Sequence, residues 1–213
     1  MIPLFFDFTD RTILIFGGGP VGARKARRFA SEAHTVVVSP SFAAADFGDA
    51  ELIRADPAPD DVAGWVARTD PALVVAATDD DAVNDAAARA ARERGRLVNR
   101  ADAGVESRDL VVPATVEDGP VTAAVATGGR APALSRYLKG SLADAIDGSG
   151  VVATVVDDVR ARLDHLDAAE RRETVRAVVG DDDVWRAARE DGSTEAVRDA
   201  VKRVLDARGV ELR

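Results

Sequence analysis

Thr12-Ile13-Leu14-Ile15-Phe16-Gly17-Gly18-Gly19-Pro20-Val21-Gly22-Ala23-Arg24-Lys25-Ala26-Arg27 is the stretch that decides the fold. Its first five residues form an unbroken apolar run of strand length, too short to be a helix on its own. The run breaks into glycines, and a helical period follows. Gly22, Ala26 and Phe29 fall at i, i+4 and i+7 and can face a sheet, while Arg24, Arg27 and Arg28 fall on another face. Gly17, Gly19 and Gly22 complete a G-x-G-x-x-G pattern between a buried strand and a helix, the context that gives the pattern meaning. In such a loop the first glycine permits the tight turn and the second lets backbone approach a pyrophosphate. The third lets helix and strand pack closely. Orphan N–H groups and the positive end of the helix dipole then face the anion. The stretch predicts a dinucleotide-binding βαβ unit whose cofactor loop is Gly17, Gly18, Gly19, Pro20, Val21 and Gly22.

Outward from this unit, Thr35-Val36-Val37-Val38 reads as a second buried strand ending at Ser39-Pro40. No acidic residue stands there to grip a ribose 2′-hydroxyl. Ser39 and Ser41 can hydrogen-bond the ribose, and Phe42 can flank the adenine, so the choice between NAD and NADP stays open. Arg24 and Lys25 read either as cofactor neighbours or as a solvated helix face. A weak strand at residues 52–53 and a short helix at 61–67 follow. Leu73-Val74-Val75-Ala76-Ala77 is a strong strand, after which Thr78 and Asp79-Asp80-Asp81 can cap a helix over 82–94. Leu97-Val98-Asn99 is the next strand. Strands alternating with helices predict a parallel sheet covered on both faces.

Ligands in such sheets collect beyond the carboxyl ends of the strands. Thr78, Asn99 and Asp102 occupy those positions. Asp102 reads either as a proton acceptor or as a turn cap. The alternation stops near residue 109. Residues 110–112 and 121–125 read as strands joined through Glu117-Asp118-Gly119-Pro120, a turn signal. A helix reaching residue 146 follows. Between hairpin and helix, Thr127-Gly128-Gly129-Arg130 supplies glycines, a hydroxyl and a guanidinium suited to an anionic group, with Arg136 and Lys139 at helical intervals beyond. These basic residues read either as receivers of a polycarboxylate substrate or as surface arginines paired with nearby acids. Gly148-Ser149-Gly150 reads as a linker, and the remainder as helices over 151–166, 168–179, 183–189 and 194–207. The expected division is 1–112, 113–147 and 148–213.

Composition narrows the possibilities. With no cysteine, there is no disulfide, thiolate nucleophile or iron–sulfur ligation, and His34 and His165 show no ligand spacing, so no metal site is expected. A net charge of −9 argues against a nucleic-acid partner. No apolar run approaches the roughly 20 residues of a membrane span, and the first residues lack a signal-peptide pattern, so a cytoplasmic protein is expected. Only three of the 28 basic residues are lysine, and aspartate outnumbers glutamate; this resembles the composition of proteins from salt-loving organisms.

The motifs taken in order resemble the precorrin-2 dehydrogenase/sirohydrochlorin ferrochelatase family, the N-terminal module of siroheme synthases. The matching pieces are Ile2-Pro3-Leu4-Phe5, the glycine loop running into Arg24-Lys25-Ala26-Arg27, and Ala76-Ala77-Thr78-Asp79-Asp80. Val98-Asn99-Arg100-Ala101-Asp102 and Gly128-Gly129-Arg130-Ala131-Pro132-Ala133-Leu134-Ser135-Arg136 continue it. The resemblance implies a Rossmann-type α/β sheet, then a small α+β dimerisation region and a C-terminal helical domain. It implies NAD-dependent oxidation of precorrin-2 to sirohydrochlorin, in some members followed by insertion of ferrous iron, and a homodimer. It places Asp102 at the catalytic aspartate, and Thr127, Gly128, Gly129, Arg130 and Arg136 at the tetrapyrrole site. Thr127 stands where some members carry serine, and Pro20 where some carry an acid. The contrasting reading is a non-catalytic NAD-sensing module, which the dinucleotide half alone does not distinguish.

Overall fold

The computed structural model describes residues 2–100, 110–128 and 130–213. The chain divides into two compact units, Met1–Val112 and Pro113–Arg213.

The first unit runs β1 (Thr12–Phe16), α1 (Pro20–Ala30), β2 (His34–Ser39), β3 (Glu51–Arg54), α2 (Pro59–Thr69), β4 (Leu73–Ala76), α3 (Asp81–Glu93) and β5 (Leu97–Arg100). The strands form one parallel sheet in the order β3-β2-β1-β4-β5. Central β1 has neighbours on both edges and helices on both faces, which is why its apolar run does not alternate. Leu14 and Phe16 pack with Val62 and Val66 of α2 and with Ala87 and Ala91 of α3. Ile13 and Ile15 pack on the opposite face with Ala23, Ala26 and Phe29 of α1. The strand order reverses between β1 and β4, so the crevice of the sheet opens where β1 runs into the glycine loop and β4 runs into Thr78. α3 starts where expected because the Asp80 carboxylate accepts the Ala82 and Val83 N–H groups at 2.8 and 3.3 Å.

The second unit holds a two-stranded antiparallel hairpin, β6 (Ala114–Asp118) and β7 (Val121–Val125), then α4 (Pro132–Ile146), α5 (Ser149–Ala161), α6 (Ala168–Val179), α7 (Asp182–Glu190) and α8 (Thr194–Ala207). Two expectations are corrected. The strand read at 110–112 lies at Ala114–Asp118 instead. The turn is only Gly119-Pro120, so Asp118 pairs with Val121 and Ala114 with Val125. The ladder therefore begins at Ala114, one residue after Pro113. Leu110 and Val112 pack instead against the core of the first unit's sheet. Gly148-Ser149-Gly150 is not a free linker but the start of α5, with Ser149 and Gly150 buried. The Asp118 carboxylate accepts the Gly150 N–H at 3.0 Å and the Ser149 hydroxyl at 3.4 Å. A Cβ on Gly150 would stand 2.8 Å from the Asp118 carbonyl oxygen, so this glycine serves close approach of the hairpin turn.

Helices α5 to α8 share one small-residue core, centred on Val155, Leu163, Val178, Val184 and Val197. α6 opens with a reciprocal cap. The Asp167 carboxylate accepts the N–H groups of Glu170 and Ala169, while Glu170 accepts the Asp167 N–H. Those backbone bonds, from Glu170 first and then Ala169, hold the Asp167 carboxyl below the ordinary carboxylate range. The folded value lies below the unfolded one, so the cap stabilises above the unfolded pKa and loses this contribution as pH falls through the folded one. Asp167→Ala is expected to lower the melting temperature at neutral pH. Melting curves on both proteins should converge as the solution is taken below the carboxylate range.

Candidate functional site

The four glycines of the loop meet different demands. Gly17 sits at φ +113°, a backbone region that side-chain-bearing residues avoid, and a Cβ there would overlap the Ala77 carbonyl at the end of β4. A Cβ on Gly22 would overlap the Gly17 carbonyl oxygen, so α1 begins directly on the end of β1. Gly18 is closed in by the chain that follows β2. A Cβ there would overlap the Ser41 carbonyl oxygen and come within 2.9 Å of Ser39 Cβ, and the Gly18 carbonyl accepts the Ala43 N–H at 2.8 Å. Gly19 differs from all three. Its φ of −73° and ψ of −178° suit any residue, and a Cβ would meet nothing within 4 Å. Among the described residues nothing requires glycine at this position, whereas a group lying across the loop would. Pro20 occupies the first helical position, where its missing N–H costs nothing, and Val21 and Gly22 follow with N–H groups that no helical carbonyl can reach. The loop therefore fits a pyrophosphate held by backbone.

On the β2 side, Ser39 is buried and Ser41 exposed. The Phe42 ring stands edge-on to Phe47 at 5.7 Å. Arg54, paired in register with Ser39, donates to the Pro40 carbonyl at 3.1 Å and holds its guanidinium 5.8 Å from the Phe42 ring centre.

At the ends of β4 and β5, two buried amides organise the backbone. Asn84 of α3 is fully buried; its Oδ1 accepts the Thr78 N–H at 3.1 Å and its Nδ2 donates to the Thr78 carbonyl at 2.9 Å. The Thr78 hydroxyl lies 2.8 Å from the same Oδ1. Asn99 accepts from Lys25 Nζ at 2.7 Å and donates through Nδ2 to the Leu110 carbonyl at 2.9 Å. The solvated-face reading of Lys25 is thereby corrected, since its ammonium reaches from α1 to the end of β5. Asn84 was not singled out in the sequence; the signal available was an amide inside the otherwise alanine-rich buried face of α3. Asp102 lies outside the described residues, as does Gly129.

In the second unit, Thr127 Oγ1 lies 2.8 Å from Ser135 Oγ and 3.2 Å from the Ala131 carbonyl oxygen, so the hydroxyl ties the loop to the first turn of α4. Gly128 takes φ +62°. Arg130, Arg136 and Lys139 are exposed. Among the described residues no cluster of three or more His, Asp or Glu side chains is placed to hold a metal, and no helix is long and apolar enough to cross a membrane.

Comparison with known proteins adds five matches. The family model described as "Putative NAD(P)-binding" matches residues 4–114. The siroheme synthase of Xylella fastidiosa is 36% identical over 177 residues, covering 80% of this chain and 37% of that protein; the siroheme synthase of Chromobacterium violaceum is 37% identical over 180 residues, covering 79% and 37%. The chain thus spans little more than a third of these relatives. The precorrin-2 dehydrogenase of Methanosarcina barkeri is 28% identical across 95% of this chain and 91% of that protein. Among solved structures, "SirC, precorrin-2 dehydrogenase" shares the fold at a TM-score of 0.69 and 22% identity, over 97% of this chain and all of that one.

The contrast between neighbouring glycines is testable. Gly18→Ala is expected to destabilise the fold by roughly 1–3 kcal/mol in denaturant unfolding, because backbone must move to admit the methyl group. Gly19→Ala should leave the unfolding curve in place and weaken dinucleotide binding by about ten-fold or more in calorimetric titration. The glycine loop, its parallel Rossmann sheet and the matched residues lead to one conclusion: the chain belongs to the NAD(P)-binding family whose members include the N-terminal part of siroheme synthases.

Proposed function

We propose that the chain oxidises precorrin-2 to sirohydrochlorin with NAD as electron acceptor. The observation that carries this reading is the likeness to the Methanosarcina barkeri precorrin-2 dehydrogenase, which runs through nearly the whole of both chains. The loop geometry supports it independently of any name. Backbone N–H groups of Val21 and Gly22 would hold the pyrophosphate. Ser39 and Ser41 would meet the ribose and Phe42 would flank the adenine, with Thr78 and Asn99 at the ends of β4 and β5. When bound there, NAD supplies the hydride acceptor.

The substrate loses two hydrogens, one as hydride and one as a proton. Asp102 takes that proton, a task suited to a carboxylate. Thr127, Gly128, Gly129, Arg130 and Arg136 receive the carboxylates of the tetrapyrrole, where local basic charge offsets the repulsion of a protein at −9. The reading extends to insertion of ferrous iron into sirohydrochlorin, with Asp102 collecting the pyrrole protons. Iron insertion above the spontaneous rate supports that extension, and its absence confines the chain to dehydrogenation. We place both steps in the cytoplasm.

The working unit in this proposal is a homodimer. α4 has no buried residue, and Leu134 and Tyr137 are 49% and 72% exposed on it. Gly140, also on α4, would meet nothing within 4 Å if it carried a Cβ, although glycine costs a helix interior about 1 kcal/mol relative to alanine. A second copy lying close against the helix accounts for both features.

Three measurements test the proposal. Purified protein given NAD and precorrin-2 should produce NADH and sirohydrochlorin absorbance in equal amounts; absence of both would sink it. In the same assay Asp102→Ala is expected to lose turnover while calorimetry still detects NAD binding. For the dimer, Tyr137→Glu should shift the mass measured by light scattering from two chains to one, and an unchanged mass would move the interface elsewhere.

A further inference from the structure

The glycine loop accounts for the pyrophosphate but leaves the ribose to the chain that follows β2. Where a dinucleotide site rejects a 2′-phosphate, a carboxylate at the end of the second strand bonds the 2′-hydroxyl and repels the added charge. Here β2 ends in Ser39-Pro40-Ser41, which carries hydroxyls and no carboxylate. A cation stands beside it. Arg54 is the last residue of β3 and pairs in register with Ser39, the last residue of β2. One guanidinium N–H is spent on the Pro40 carbonyl at 3.1 Å, and the group sits 5.8 Å from the centre of the Phe42 ring, itself braced by Phe47. These two contacts hold an exposed, flexible side chain at the end of β2. The same segment is packed onto Gly18 through the Ala43 N–H, so Arg54 and the pyrophosphate loop belong to one piece of structure.

We infer that Arg54 reads the 2′ position of the adenosine ribose and that the site takes NADP as well as NAD. The inference rests on the dinucleotide reading of the loop and adds to it a residue that sets cofactor choice. A guanidinium presents five N–H donors in a planar fork, and with one on Pro40 the rest suffice for a bidentate grip on a phosphate. Ser41, exposed two residues beyond the end of the strand contact, supplies a hydroxyl that tolerates either a 2′-hydroxyl or a 2′-phosphate.

The test is calorimetric titration of the full chain, and of Arg54→Gln and Arg54→Lys, with NAD and NADP. AMP and adenosine 2′,5′-bisphosphate serve as probes that lack the nicotinamide half. Arg54 is exposed on an edge strand, so both variants should keep the unfolding curve of the parent chain. Wild type is expected to bind NADP within about ten-fold of NAD, and Arg54→Gln to weaken NADP and the bisphosphate by about ten-fold or more while changing NAD and AMP by less than about three-fold. Arg54→Lys should fall between them, and added salt should weaken NADP binding more than NAD binding. Equal weakening of all four ligands in Arg54→Gln would overturn the inference, because Arg54 would then serve only the adenine or the local fold. NAD binding without NADP binding in wild type would overturn the inference alone. Failure of every ligand would overturn the dinucleotide reading and the inference with it.

Discussion

Three backbone contacts at one end of β1 set the terms for the first unit. The end of β4 presses on Gly17, the start of α1 presses Gly22 onto Gly17, and the segment after β2 presses on Gly18. Each contact leaves no room for a single methyl group. Together they force strand, loop and helix into one arrangement, in which the helix start faces outward across Gly19. The parallel sheet is what allows this. Because β1 has β2 on one edge and β4 on the other, the segments leaving both neighbours converge on the loop that leaves β1. The anion-binding geometry is therefore a by-product of packing at the switch in strand order, and it is present without any side chain being aimed at the ligand.

Around that loop the structure spends polar side chains on holding backbone rather than on reaching into the crevice. Asn84 bonds both backbone groups of Thr78, and Asn99 joins Lys25 to the Leu110 carbonyl. A buried amide satisfied on both ends rigidifies its neighbours, because the alternative is an unpaired polar group in a dry interior. Thr127 works the same way in the second unit, with its hydroxyl committed to Ser135 and Ala131. In the functional reading Asn84 and Asn99 act through the backbone they fix, while the Thr127 hydroxyl holds in place the loop proposed to receive the substrate carboxylates.

The second unit repeats the theme of close approach with different parts. Asp118, at the hairpin turn, accepts the Gly150 N–H and the Ser149 hydroxyl at the start of α5 and lies against Gly150, which joins the hairpin to the helix bundle. α4 is the exception, because it packs on the hairpin yet buries none of its residues and carries exposed Leu134 and Tyr137. A helix in that condition is stable when something else completes its burial, since packing of an apolar face supplies most helix stability in proteins.

The residues of the sequence were enough to establish the βαβ start, the parallel alternation to β5, the Asp80 cap of α3 and the family. All of these rest on local signals: an apolar run, a glycine spacing, carboxylates just before a helix. Apolar residues 110–112 look like a strand by themselves, and the two-residue turn at Gly119-Pro120 decides that 114–118 pairs instead. Gly148 to Gly150 was misread for a similar reason, as glycine composition does not distinguish freedom from close approach. The closing-in of Gly18 by the segment after β2, the Lys25 to Asn99 tie and the position of Arg54 beside Ser39 were decided by tertiary structure alone. Each depends on which strand lies next to which, and sequence spacing carries no record of that when the partners are 15 to 74 residues apart.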